Sequence, residues 1–126
     1  MVDVSVIIPT LNERANIDSL LSRILKTGSS CSTFNLEIIV VDDRSEDNTR
    51  QIIIDYIKDK PQFKYLRNEN SQWKLSGKAS AISKAINNSQ GEILFVTDAD
   101  CVVTENWITK TVGYFDHDVG MVAGFA

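Results

Sequence analysis

A chain of 126 residues is long enough for one domain with a real core, and its net charge of −4 makes it a poor general binder of nucleic acid, which needs a basic surface. Hydrophobic residues make up 43% and charged residues 24%, a balance that fits a soluble globular protein and argues against disorder. The two cysteines, Cys31 and Cys101, lack metal-ligand spacing and read as free thiols in a reducing, cytoplasmic setting, with a single disulfide between them as the other reading.

Val4-Ser5-Val6-Ile7-Ile8 reads as a first strand, stopped by Pro9. A helix follows from about Ala15 to Lys26, with Ile17, Leu20, Leu21, Ile24 and Leu25 at helical spacing and Gly28 just past its end. Leu36 to Val41 reads as the second strand, and Asp42-Asp43-Arg44-Ser45 as the turn after it. The next helix carries Glu46 and Asp47 in its first turn, where the helix dipole favours acids, buries Ile52, Ile53, Tyr56 and Ile57, and is closed by Pro61. Phe63 to Leu66 is a short third strand. A polar loop from Asn68 to Gly77, holding Trp73 as a partly buried anchor, leads to a helix from about Lys78 to Asn88 with Ala79, Ile82, Ala85 and Ile86 inward. Glu92 to Val96 is the fourth strand: Gly91 opens it, its apolar run predicts burial on both faces, and Asp98 ends it. Thr104 is placed to cap a helix through Trp107, Ile108, Thr111, Val112 and Phe115. Val119 to Ala126 looks like a fifth strand. The start of the chain has no charged-then-apolar leader, and no apolar stretch approaches the length of a membrane span.

Strands alternating with helices imply an α/β fold with a mostly parallel sheet. The carboxyl ends of parallel strands share one edge, so three loops converge: Pro9 to Glu13, Asp42-Asp43, and Asp98-Ala99-Asp100. The ligand crevice of such a sheet lies where the strand order reverses, beside the first strand. Asp98 and Asp100 cannot share a dry interior without a counter-charge. Hard divalent cations take oxygen ligands, and one or two carboxylates plus a substrate phosphate is a common arrangement for Mg²⁺. No Gly-x-Gly-x-x-Gly follows the first strand and no Gly-Lys-Ser/Thr phosphate loop is present, which argues against a dinucleotide fold and a P-loop protein. An edge of carboxylates fits a nucleoside diphosphate bridged by a cation.

Four segments occur in order: Val6 to Glu13, Ile39 to Thr49, Gly77-Lys78-Ala79-Ser80-Ala81-Ile82, and Gly91 to Cys101. Together they resemble the nucleotide-sugar-binding half of a family 2 glycosyltransferase, and the resemblance covers essentially the whole chain. It implies a GT-A, Rossmann-like fold, with residues 1–126 as the nucleotide-diphospho-sugar-binding part of a catalytic domain. It also implies roles. Pro9, Thr10 and Glu13 match the loop lining the base and ribose of the donor. Asp43 matches the acid that contacts uracil or another base. Lys78 matches the basic residue near the nucleotide. Asp98 resembles the residue that contacts the ribose or supports the metal, and Asp100 the metal ligand proper. The implied cofactor is Mn²⁺ or Mg²⁺, and the implied partner a nucleoside diphosphate sugar, a UDP-sugar first among them, with no nucleic acid. Membrane attachment would come only through segments beyond this sequence.

The residues also carry plainer readings. Asp42 is as well suited to cap the following helix as to bind ligand. Glu13 fits a first-turn helix acid, and Thr10 and Asn12 fit turn and cap positions. Ser83 stands where family members often carry Asn, and Arg44 where they often carry Gly. Length is the larger departure, since such domains run to about 200–250 residues. The expectation is an N-terminal fragment, ending after about five strands, with no catalytic base of its own and with self-association through the last strand. The rival from another class is a receiver-type phosphoacceptor domain, which places its acidic pair after the first strand; a non-catalytic nucleotide-sugar-binding module is the third reading.

Overall fold

The structure, a computed structural model, describes residues 3–30, 34–69 and 77–123, with only the backbone described at 28–30. Strands β1 (Val4–Thr10), β2 (Leu36–Asp42), β3 (Phe63–Arg67) and β4 (Ile93–Val96) form one all-parallel sheet in the order β3-β2-β1-β4. Helices α1 (Ile17–Ser30), α2 (Thr49–Ile57), α3 (Gly77–Asn87) and α4 (Trp107–Val112) connect and flank it.

Side-chain alternation along the strands divides the core. Val4, Val6 and Ile8 of β1, with Ile38, Val40, Phe63 and Phe95, face Ile17, Leu20, Leu21 and Ile24 of α1, Ile53 of α2 and Ile108 of α4. Ile7, Ile39 and Val41 face Ala81 and Ala85 of α3. The expected inner face of α3 is therefore rotated. Ser80, Ala81 and Ala85 are buried, whereas Ala79 is exposed, Ile82 half-buried and Ile86 exposed. Small side chains allow the helix to lie close to the strands.

Several boundaries differ from expectation for identifiable reasons. Pro9 does not stop β1, which continues to Thr10 in register with Asp42. The Ile7 carbonyl points toward β4, accepting from Thr97 N–H, so Pro9, two residues on, also points its nitrogen that way, beyond the last β4 residue. A missing donor there breaks no ladder bond. Helix α1 runs through Gly28 to Ser30, since no described glycine takes a positive φ and none forces a left-handed stop. Helix α2 begins at Thr49, so Glu46 and Asp47 precede it, and the Asp47 carboxylate accepts from Thr49 N–H at 2.9 Å. Helix α4 ends at Val112 and is preceded by Asn106; Thr104 supplies a carbonyl to Trp107 N–H rather than a side-chain cap.

Strand β4 is not buried on both faces. Phe95 is covered, packed edge-to-face on Trp107 at 5.0 Å, but Leu94 and Val96 are 39% and 48% exposed. They lie on the α3 side of an edge strand, and α3 covers β1 and β2 rather than β4. Residues 119–123 form no strand, and the end of the expected fifth strand, 124–126, lies outside the described residues, as do Cys31 and Trp73. Cys101 is a free, half-buried thiol. No helix among the described residues is long and apolar enough to cross a membrane. The receiver-type reading fails on topology, since that fold pairs strand 1 with strands 2 and 3, whereas here β1 lies between β2 and β4.

At the amino ends of the strands, the Glu37 carboxylate ties the sheet together. It accepts from Ser5 Oγ at 2.6 Å, Gln90 N–H at 2.6 Å and Lys64 Nζ at 3.1 Å, and Ser5 Oγ accepts from Gly91 N–H at 2.8 Å. Burial pushes its pKa up, but these hydrogen bonds and the lysine charge outweigh it and hold the carboxyl below 4.5.

Candidate functional site

Chain order leaves β1 between β2, β3 on one side and β4 on the other, so the strand order reverses between β1 and β4. The crevice expected beside the first strand therefore opens between the β1–α1 loop and the segment after β4.

The β1–α1 and β2–α2 loops are locked together by polar side chains. Asn12 sits at φ 52, a left-handed conformation that asparagine tolerates. Its N–H donates to Ser45 Oγ at 2.9 Å, and its Oδ1 accepts from the N–H of Glu46 at 2.9 Å and of Asp47 at 3.4 Å. Glu13 N–H donates to Thr49 Oγ1 at 3.0 Å, and its carboxylate accepts from Asn16 at 3.1 Å. Pro9 is buried within β1. The Thr10 hydroxyl is buried and reaches the Val41 carbonyl at 3.4 Å, while its carbonyl accepts from Asp43 N–H at 2.8 Å.

The adjacent acids after β2 have separate environments. Asp42 is fully buried and takes neither of the two uses read for it from sequence. It accepts from Ser45 N–H at 3.0 Å, Tyr65 Oη at 2.9 Å and Arg67 Nη1 at 3.2 Å, which pins β3 and the loop to β2. Burial and the hydrogen bond to Asp42 raise the Tyr65 pKa. Asp43 is also buried, but it turns toward α3. Its Oδ1 accepts from Asn68 Nδ2 at 3.2 Å and Arg44 Nε at 3.3 Å. Its Oδ2 faces Gly77, where a Cβ would stand 2.3 Å away. Arg44 holds φ 62, a left-handed backbone that glycine adopts without steric cost.

After β4, the Asp98-Ala99-Asp100 spacing is explained by burial. Ala99 is inside, 3% exposed, and anchors the turn closed by Cys101 N–H onto the Asp98 carbonyl at 3.1 Å. The acids on either side reach the surface. Lys78, in the first turn of α3, donates to Asp98 Oδ1 at 2.5 Å across the crevice. A cation there opposes the helix dipole and is matched by this carboxylate. Ligand atoms of Asp98, Asp100 and Cys101 all lie within 4.8 Å of one another, and two carboxylates suit a hard divalent cation. The donor set thus fits Mn²⁺ or Mg²⁺, with both carboxylates open to solvent.

Glu13, Asp43, Lys78, Asp98 and Asp100 all lie at the carboxyl edge, as do Pro9 and Thr10, which are buried inside it. Sequence reasoning did not pick out Asn68, which has only its place in a polar loop to mark it, nor the Asp42–Arg67–Tyr65 cluster, whose members are 23 and 25 residues apart.

An all-parallel four-stranded sheet with flanking helices and a carboxylate-lined crevice at its switch point defines an α/β domain of the GT-A, Rossmann-like class. The chain belongs to glycosyl transferase family 2, whose family model matches residues 5–126. It is 38% identical over 97 residues to a dolichol-phosphate mannosyltransferase from Pyrococcus furiosus, covering 77% of this chain and 25% of that protein. It is 34% identical over 98 residues to a dolichyl-phosphate beta-glucosyltransferase from Trichomonas vaginalis, covering 75% and 28%. The mannosyltransferase PcManGT from Pyrobaculum calidifontis, solved in complex with GDP-Man and Mn²⁺, superposes with a TM-score of 0.78 at 28% identity, over 93% of this chain and 33% of that one. TarS from S. aureus, in complex with UDP-GlcNAc, gives 0.67 at 26% identity, over 88% and 30%. The chain thus spans 25% and 28% of the length of these two curated relatives.

Proposed function

We propose that residues 1–126 are the part of a glycosyltransferase catalytic domain that binds a nucleoside diphosphate sugar with a divalent cation, and that the whole enzyme transfers the sugar, with inversion, to an acceptor hydroxyl. The observation that carries this reading is the placement of Asp43, Lys78, Asp98 and Asp100 along one edge of the sheet, at its switch point, in a chain of this family. The similarity to proteins solved with GDP-Man and Mn²⁺ and with UDP-GlcNAc supports a nucleotide-sugar donor.

Asp43 accepts a hydrogen bond from the base. Glu13, with Pro9 and Thr10 behind it, lines the base and ribose side. Asp98 meets the ribose or supports the cation, and Asp100 is the cation's principal protein ligand. A divalent cation held by these carboxylates would neutralise charge on the departing diphosphate. Lys78 turns from Asp98 to the phosphates, a charge-assisted contact on the same side of the crevice. No described carboxylate is assigned as the base that deprotonates the acceptor, since Asp43 is held by Asn68 and Arg44 against the base, Glu13 lines the donor, and Asp98 and Asp100 are given to the ribose and cation. Donor binding without sugar transfer is the expected behaviour of the 126 residues.

Titration calorimetry with UDP and GDP tests the reading. Mn²⁺ is expected to tighten the better of the two by about tenfold or more over chelator, equivalent to about 1.4 kcal/mol. Asp100→Ala is expected to remove most of that gain. Equal affinity with Mn²⁺ and with chelator would overturn the metal role.

A further inference from the structure

We infer that Asn68 is a positioning residue for base recognition: its side-chain amide fixes the orientation in which the Asp43 carboxylate meets the base. The inference rests on the reading of Asp43 as the base acceptor.

The geometry is that of a built support. Asn68 follows β3 directly and is 4% exposed. Its backbone N–H donates to the Asp42 carbonyl at 2.8 Å, which sets its position against β2. Its Nδ2 then stands 3.2 Å from Asp43 Oδ1 and 3.3 Å from Ser80 Oγ, spanning the gap between the β2 loop and α3. An amide NH₂ has two donors, enough for both partners. Arg44 Nε adds a second donor to the same oxygen. Oδ1 is thereby occupied twice. Oδ2 takes the room left by the missing side chain of Gly77, where a Cβ would stand 2.3 Å from it, so both oxygens of the carboxylate are fixed in place.

A carboxylate oxygen accepts but cannot donate. The bases that suit it carry a ring N–H, as uracil and guanine do. Adenine and cytosine offer only an exocyclic amino group. Without Asn68, Asp43 is free to rotate about its side-chain bonds, and the ordering cost falls on the nucleotide as it binds.

The test compares the tighter of UDP and GDP with ribose 5-diphosphate, which lacks a base, by titration calorimetry in Mn²⁺. The intact chain is expected to prefer the nucleotide by about tenfold, the value of one good hydrogen bond. Asn68→Ala is expected to reduce that preference to within about threefold while the affinity for ribose 5-diphosphate stays unchanged. Asn68→Asp, which keeps the shape but loses the donor, is expected to do the same, and it carries the test if the alanine variant fails to fold. Asp43→Ala is the reference. If Asp43→Ala keeps the base preference, the reading of Asp43 fails and this inference with it. If Asp43→Ala loses the preference while both Asn68 variants retain it, Asn68 alone is refuted. Equal weakening of nucleotide and ribose 5-diphosphate in the Asn68 variants would reduce Asn68 to a structural residue and also overturn the inference.

Discussion

Gly91 shows how a single missing carbon can decide a strand pairing. A Cβ there would stand 2.6 Å from the backbone nitrogen of Ser5 and 2.6 Å from its hydroxyl, at the amino end of the β1–β4 seam. The obstacle is mostly backbone, which cannot rotate away. Gly91→Ala is expected to destabilise the fold by about 2–3 kcal/mol, the range for overpacking a tight interior. Gly120 has nothing within 4 Å of its would-be Cβ, so Gly120→Ala should stay within about 0.5 kcal/mol of the starting protein. Urea denaturation of the two variants measures both figures, and equal midpoints would refute the argument. Gly77 poses the same steric problem at the other end of the sheet, but against a side chain, Asp43.

At the scale of elements, two polar clusters hold the strands at opposite ends. Asp42 joins β2 to β3 at the carboxyl edge, and Glu37 joins β1, β2, β3 and the segment before β4 at the amino edge. The Glu37 cluster has a pH signature. Its folded pKa lies below the ordinary 4.5, so its contribution is complete above that value and is lost as pH falls through the depressed pKa. Glu37→Gln is expected to cost about 1–2 kcal/mol at pH 7, where a charged acceptor is replaced by a neutral amide among three donors. The gap to the unsubstituted chain should narrow as pH drops below about 4.5, because both then carry an uncharged group. Thermal melts at pH 7 and at successively lower pH measure it. A gap that widens on acidification would refute the assignment.

For the whole molecule, β4 is an exposed apolar edge among the described residues. Leu94 and Val96 are uncovered, Met121 is 83% exposed, and β4 pairs with β1 alone among the described residues. A strand edge of this kind favours pairing with a second copy of the chain. Concentration-dependent association is expected in light scattering, and Val96→Lys is expected to shift it toward monomer. A monomer at every concentration would rule out this surface as an interface.

Periodicity and residue order were enough to establish the alternating α/β plan, the shared carboxyl edge and the family resemblance, because hydrophobic spacing and strand polarity are local properties of a chain. Asp98-Ala99-Asp100 was visible as a site candidate for the same reason: its meaning follows from ending a strand. Other features depended on which segments meet. Pro9 could stay inside β1 only because β4 ends at Val96, a matter of strand register. Val96 is exposed because the sheet order leaves β4 at an edge. Asn68 supports Asp43 from 25 residues away, and Lys78 meets Asp98 from 20. Hydrogen bonds and steric exclusion act over a few ångströms in space, and folding, not spacing along the chain, brought these groups within that reach.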